Sequence, residues 1–138
     1  GPEKDKKFIK KIMKQIQADV SELHIVDDKD GTPTYTHDFA KNVKLLLQKE
    51  YWGLYNMVCE GQTSRLEVAE EILSILSLED SIELIPVSSD YFKNEYYADR
   101  PPSERLLNRK LFLRDMNIMR DWKISLKEYL EQSYAEFI

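Results

Sequence analysis

The sequence predicts a mixed α/β fold, a small sheet of short strands packed with amphipathic helices. Three observations carry this. Apolar residues recur at three-and-four spacing in several separate stretches, the mark of helices with one buried face. Short β-prone runs lie between those stretches. At 138 residues, 42% hydrophobic and 33% charged, the chain fits one compact domain with a sizeable core.

The elements follow in order. Between Lys4 and about Val20, the residues Phe8, Ile9, Ile12, Met13, Ile16 and Val20 define a first helix with lysines between them. Leu23-His24-Ile25-Val26 reads as a strand, and Asp27 to Gly31 as a turn with positive φ expected at the glycine. Thr36 is placed to cap a second helix, with Asp38 in its first turn and Phe39, Ala40, Val43, Leu46 and Leu47 as its buried stripe. Leu54 to Cys59 suits a strand ended by Gly61. Ser64-Arg65-Leu66-Glu67 is a capping box opening a third helix, whose core face is Leu66, Ala69, Ile72, Leu73 and Leu76. Ile82 to Val87 reads as a strand, with Pro86 marking an edge or strand end. Ser88 to Pro102 is irregular and aromatic-rich. A short helix follows Asn108, and a last one starts near Asp121 to bury Trp122, Leu126, Tyr129 and Leu130.

Composition excludes several functions. Twenty basic against twenty-five acidic residues give a net charge of −5, against a nucleic-acid footprint. The lone Cys59 cannot form an internal disulfide, so a reducing cytoplasm is expected. No apolar run is long enough to span a membrane, and the lysine-rich first helix reads as a solvated face. Gly1, Gly31, Gly53 and Gly61 cannot build a dinucleotide fingerprint or a P-loop. Neither a G-x-S-x-G elbow nor a Tyr-x-x-x-Lys pair occurs, so no catalytic residue is assigned. His24 and His37 lack partners at ligand spacing, and the acidic turn fails the EF-hand pattern, so no metal is expected. Paired carboxylates such as Glu70-Glu71 read as solubility charges. Arg100-Pro101, among aromatics, could hold a phosphate or cap a helix end, and both readings stand. The opening Gly1-Pro2, with no initiator methionine, looks like the scar of a cleaved tag, leaving residues 3–138 as the domain and an expectation of further chain upstream.

Several phrases, in order, resemble one family. Asp27 to Ala40 resembles the D-Q-x-G-x-P-T-x-T-x-D-L-A stretch of dTDP-4-dehydrorhamnose reductases. Gly53-Leu54-Tyr55-Asn56, Glu60-Gly61 and Ser64 to Ala69 match their next strand, turn and helix. Ile85-Pro86-Val87, Ala98-Asp99-Arg100-Pro101, Leu106, Asn108, Lys110 and Leu111 resemble their I-P-V … R-P-x-x-S-x-L-x-N-x-K-L segment, and Asp121-Trp122-Lys123 with Leu126 to Leu130 their closing helix.

The resemblance implies the C-terminal substrate-binding part of a Rossmann-type sugar-nucleotide reductase. The parent would reduce the 4-keto group of dTDP-4-dehydro-L-rhamnose with NADPH (or NADH), and the cofactor and catalytic Tyr and Lys would sit in an upstream Rossmann domain. This part alone would hold no cofactor and be inactive. The implied substrate-binding residues are Arg100, near the diphosphate, and Thr32, Pro33, Thr34 and Tyr35, lining the cleft; Thr36 and Asp38 are read as shaping that loop and the helix after it. Arg65-Leu66 replace a frequent Trp-Tyr, and Glu104 the usual serine, which opens the sugar or nucleotide to question. Two other readings are a regulatory binding subunit, as in methionine adenosyltransferase, and a reductase or epimerase for another nucleotide sugar. Cut from its Rossmann partner, the domain is expected to expose apolar surface and a strand edge and to form homo-oligomers.

Overall fold

The structure, a computed structural model, describes residues 8–95 and 101–138. The helices are α1 (Phe8–Gln17), α2 (Thr36–Gln48), α3 (Arg65–Ile75), α4 (Arg109–Phe112) and α5 (Trp122–Ser133). The strands are β1 (Glu22–Val26), β2 (Asp30–Gly31), β3 (Thr63–Ser64) and β4 (Glu83–Val87). β1 and β4 pair in parallel, from Glu22 opposite Glu83 to Val26 opposite Val87. β2 and β3 form a second, antiparallel pair. Pro86 is tolerated because a two-stranded sheet has only edges.

The core gathers Ile12, Met13 and Ile16 of α1, Leu23 and Ile25 of β1, Ala69, Ile72 and Leu73 of α3, and Trp122, Leu126 and Leu130 of α5. Helical spacing in the sequence predicts the buried faces of α1, α3 and α5, and the short β-prone run Leu23 to Val26 predicts the strand. α3 begins as a full capping box: the Glu67 N–H donates to Ser64 Oγ at 3.2 Å, and the Ser64 N–H to Glu67 Oε2 at 2.7 Å. Cys59 is buried and free.

Several local expectations are corrected. Gly31 does not turn the chain with positive φ; it lies in β2, opposite Thr63, and the glycines with positive φ are Gly53 and Gly61. Thr36 does not cap α2. Tyr35 occupies the cap position without a side-chain bond, and Thr36 is already helical. The expected buried stripe of α2 largely faces outward: Phe39, Ala40 and Leu47 are exposed, and the residues it buries are Asp38 and Asn42. Tyr91 and Phe92 belong to a 3-10 segment, Ser89–Glu95, within the stretch read as irregular. Tyr96 and Tyr97 lie outside the described residues.

Leu54 to Cys59, expected to be a strand, forms none and joins neither sheet. Asn108 takes a strand's place: its Oδ1 accepts from the Val58 N–H at 2.9 Å, and its Nδ2 donates to the Val58 carbonyl at 2.7 Å. Asn42 does the same for residues 116–118, donating to the Met116 carbonyl and accepting from the Ile118 N–H, both at 3.1 Å. Each amide satisfies a backbone donor and acceptor that burial would otherwise penalise.

Asp38 organises the crossing of α2, α5 and the chain before α5. Its Oδ1 accepts from Arg120 Nε at 2.9 Å and its Oδ2 from Ser125 Oγ at 2.6 Å. Arg120 also reaches Glu128 at 2.6 Å. Its pKa is raised, first through hydrogen bonds to Asp38 and Glu128, so the guanidinium stays charged.

Asp38→Ala leaves Arg120 and Ser125 without their acceptor and is expected to cost on the order of 3 kcal/mol, read from urea midpoints. Glu128→Gln, on the half-exposed side, should cost clearly less. The capping box adds a pH signature. The Ser64 backbone N–H holds the Glu67 carboxyl below its ordinary range, so this stabilisation is present above that range and is lost as pH falls through the lowered value. Glu67→Gln should flatten that part of the acid limb in a pH series of melts.

Candidate functional site

A cleft of about 600 Å³ opens beside the β2–β3 pair. Residues 30–36 form one side, running from β2 into α2. The start of α3 forms the floor with Ser64, Arg65 and Val68. Helix α5 supplies Trp122, Ser125, Leu126 and Tyr129, which share one face at i, i+3, i+4 and i+7. Phe8 and Ile9 of α1, then Pro101 and Glu104, complete the rim. The lining is mainly apolar and aromatic with a few polar groups, the composition expected of a small-molecule site.

Local bonds hold this shape. Thr32 Oγ1 donates to the Gly61 carbonyl at 3.0 Å, pinning the loop to the turn before β3. The Asp30 N–H donates to the Pro102 carbonyl at 2.9 Å, and the Glu104 N–H to the Asp30 carbonyl at 3.0 Å. The Arg105 guanidinium lies 3.1 Å from the Asp30 carboxylate. Residues 102–105 are thereby fastened across β2, at the cleft's rim.

Tyr35 anchors the other end of the loop. Its hydroxyl donates to Gln132 Oε1 at 2.9 Å and lies 3.0 Å from His37 Nδ1, while its ring meets Tyr129 edge-on, centroids 6.1 Å apart. Its backbone N–H donates to the sulfur of buried Cys59 at 3.5 Å. Burial, then the negative charges of Glu128 and Asp38, push the phenol above its ordinary value. Tyr35 therefore offers a ring face and a neutral hydroxyl, and no phenolate.

The structure brings Thr32, Pro33, Thr34 and Tyr35 together on the cleft wall. Arg100 lies outside the described residues; its neighbour Pro101 lines the cleft. Thr36 lines it too, whereas Asp38 sits behind the wall, bonded to Ser125. Sequence reasoning missed Lys29, Ser64, Arg65, Glu104, Trp122 and Tyr129 as liners. For Arg65 and Glu104 a signal existed, since these are the positions that depart from the family pattern. Trp122 and Tyr129 were legible only as core. Among the described residues, no group of three His, Cys, Asp or Glu could hold a metal ion, and no helix is long and apolar enough to cross a membrane.

Gly61 makes this packing possible. Its φ is +90°, and a Cβ there would lie 2.8 Å from Trp122 Cδ1 and 3.0 Å from Asp121 Oδ2. Gly61→Ala is expected to cost about 1–3 kcal/mol and to shift the Trp122 ring from the cleft wall, seen as a lower melting temperature and altered tryptophan emission.

Comparison with known proteins places this architecture. The family model described as the RmlD substrate binding domain matches residues 2–135. The chain is 30% identical over 126 residues to the spore coat polysaccharide biosynthesis protein SpsK of Bacillus subtilis (strain 168), covering 91% of this chain and 42% of that protein. Among solved structures, it matches a dTDP-4-dehydrorhamnose reductase from Clostridium acetobutylicum with a TM-score of 0.84 at 30% identity. The dTDP-4-dehydrorhamnose reductase of Yersinia enterocolitica gives 0.80, also at 30%. In both, 94% of this chain covers 44% of the reductase. The Bacillus anthracis reductase, solved in complex with NADP, shares the fold at a TM-score of 0.79 and 24% identity. The chain thus spans less than half the length of these relatives. With the family match running nearly from end to end, the chain belongs to the RmlD substrate-binding domain family.

Proposed function

We propose that this chain is the nucleotide-sugar-binding part of a reductase of the dTDP-4-dehydrorhamnose type, working within a longer protein. The observation that carries the reading is the cleft itself, which lies against residues 32–35 in a chain that matches the family almost throughout. Its glycines, at 1, 31, 53 and 61, fit no dinucleotide cradle, so the chain leaves the cofactor to the rest of the protein. NADPH there supplies the hydride that reduces the sugar's 4-keto group. This chain binds and orients. Pro33, Tyr35, Trp122 and Tyr129 give apolar and aromatic surface for base or sugar, Thr32 and Thr34 give hydroxyls, and Arg100 meets the diphosphate. Enclosure by these groups keeps water from the reacting carbonyl. The whole protein works in the cytoplasm.

The outward apolar face is where the cofactor-binding part docks. Trp52 is 71% and Leu54 87% exposed, and Leu47, Leu107 and Leu113 are also exposed. They form one region: Lys110 Nζ donates to the Leu54 carbonyl at 3.1 Å, and the Arg114 guanidinium lies 4.9 Å from the Tyr51 ring. Beside them run residues 54–58, where side chains rather than a strand meet the backbone, Lys110 at Leu54 and Asn108 at Val58. A second reading, a reductase or epimerase for another nucleotide sugar, is favoured by Arg65 and Glu104, which depart from the family pattern and line the cleft.

Two measurements test this. The full-length protein, given dTDP-4-dehydro-L-rhamnose, should oxidise NADPH, followed by its absorbance, and removing the upstream part should abolish it. A folded, NADPH-binding protein that oxidises nothing would exclude this substrate and turn attention to other nucleotide sugars. The isolated domain should self-associate with concentration in sedimentation velocity, and Leu54→Lys should reduce this. A clean monomer at high concentration would count against the docking face.

A further inference from the structure

Tyr35 is tied into hydrogen bonds that leave its side chain and return to its own backbone. Its hydroxyl meets Gln132 Oε1 at 2.9 Å, and Gln132 Nε2 donates to Glu128 Oε1 at 3.4 Å. Glu128 Oε2 accepts from Arg120 Nη1 at 2.6 Å, and Arg120 Nε donates to Asp38 Oδ1 at 2.9 Å. Ser125 Oγ donates to Asp38 Oδ2, the Cys59 thiol to Ser125 Oγ at 3.6 Å, and the Tyr35 N–H to the Cys59 sulfur. The circuit closes. Tyr35 lines the cleft, whereas Gln132, Glu128 and His37 stand behind it.

The direction of each bond on the side-chain half follows from its charged end. The Glu128 carboxylate, held by a guanidinium, only accepts, so Gln132 must turn Nε2 toward Glu128 and Oε1 toward Tyr35. An amide oxygen has no hydrogen to give, so the Tyr35 hydroxyl donates its single hydrogen to Gln132. His37 Nδ1, 3.0 Å from that hydroxyl, must then donate to it, which places the neutral ring's hydrogen on Nδ1 and leaves Nε2 without one. Tyr35 therefore has no hydrogen left for a ligand. It presents its ring to the cleft, at an angle fixed from behind.

We infer that Gln132 is a positioning residue of the cleft: by taking the Tyr35 hydroxyl hydrogen, it sets the Tyr35 ring as a wall for the apolar face of a base or sugar. This rests on the reading of the cleft as a nucleotide-sugar site. Gln132 acts only through Tyr35, and because its side chain is exposed it can be replaced without emptying the core.

The test follows His37 in the full-length protein by nitrogen NMR, at a pH where the imidazole is neutral, and titrates the same protein with dTDP. Wild type should carry the hydrogen on Nδ1, the signal being assigned by its loss in His37→Gln. Gln132→Leu releases the Tyr35 hydrogen to turn toward His37, so the imidazole should change to its Nε2–H form. Gln132→Glu keeps an acceptor for the hydroxyl and should retain the Nδ1–H form. Gln132→Leu and Tyr35→Phe should each weaken dTDP about fivefold, and together no more than either alone. An Nε2–H imidazole in wild type, unchanged dTDP affinity in Gln132→Leu, or losses that add in the double variant would each overturn the assignment. A folded wild type that shows the Nδ1–H form but binds no dTDP fails as a nucleotide-sugar protein, and the positioning role falls with that reading. In a wild type that binds, an unaffected Gln132→Leu sinks the positioning role alone.

Discussion

The buried carboxylate of Asp38 is the interaction on which the remaining architecture depends. A charge removed from water is tolerable only when paired and hydrogen-bonded, and here two partners do this from different elements. Arg120 arrives from the chain before α5 and Ser125 from within it. α2 is thereby locked against α5, and both carry cleft residues. The loop ending in Tyr35 enters α2 at one end of this lock, and the Trp122–Tyr129 face leaves α5 at the other. The cleft wall is thus held from behind by charge pairing while its inner surface remains apolar.

The same arrangement explains why α2 is inverted relative to its pattern. Three-and-four spacing correctly announces the helix, but it points the stripe of Phe39, Ala40, Val43, Leu46 and Leu47 at the core because apolar residues are inside by default. Asp38 and Asn42 form a second stripe at i and i+4, and the polar network claims it for the interior. Pattern reasoning ranks burial by hydrophobicity, so it cannot see a polar stripe whose partners lie some eighty residues away. Residues 54–59 failed for a related reason. Their local composition is strand-like, but a strand needs a backbone partner, and the groups that meet this backbone are side chains, Asn108 at Val58 and Lys110 at Leu54.

Helices α1, α3 and α5 and the strands β1 and β4 were legible because their signals are local: periodicity, the S-x-x-E box and compact apolar runs. Of the cleft, residues 32–35 were legible through resemblance alone, since nothing in their composition marks a wall. Arg65 and Glu104 are legible in the sequence as departures from the family pattern. The α5 face was read once, as core, when it serves as core on one flank and wall on the other.

The parallel β1–β4 pair joins residues about sixty positions apart, with α2 and α3 between them. No hairpin can nucleate it. The chain must close that long loop before the first ladder bond repays the entropy lost, so this pairing belongs late in folding, after α3 has formed on its capping box. Once made, the pair clasps both ends of the intervening segment, and the cleft loop lies within that clasp. The order of the binding loop is therefore tied to the survival of that sixty-residue closure, and amide exchange in residues 32–35 should follow that of the sheet more closely than that of the helix they lead into.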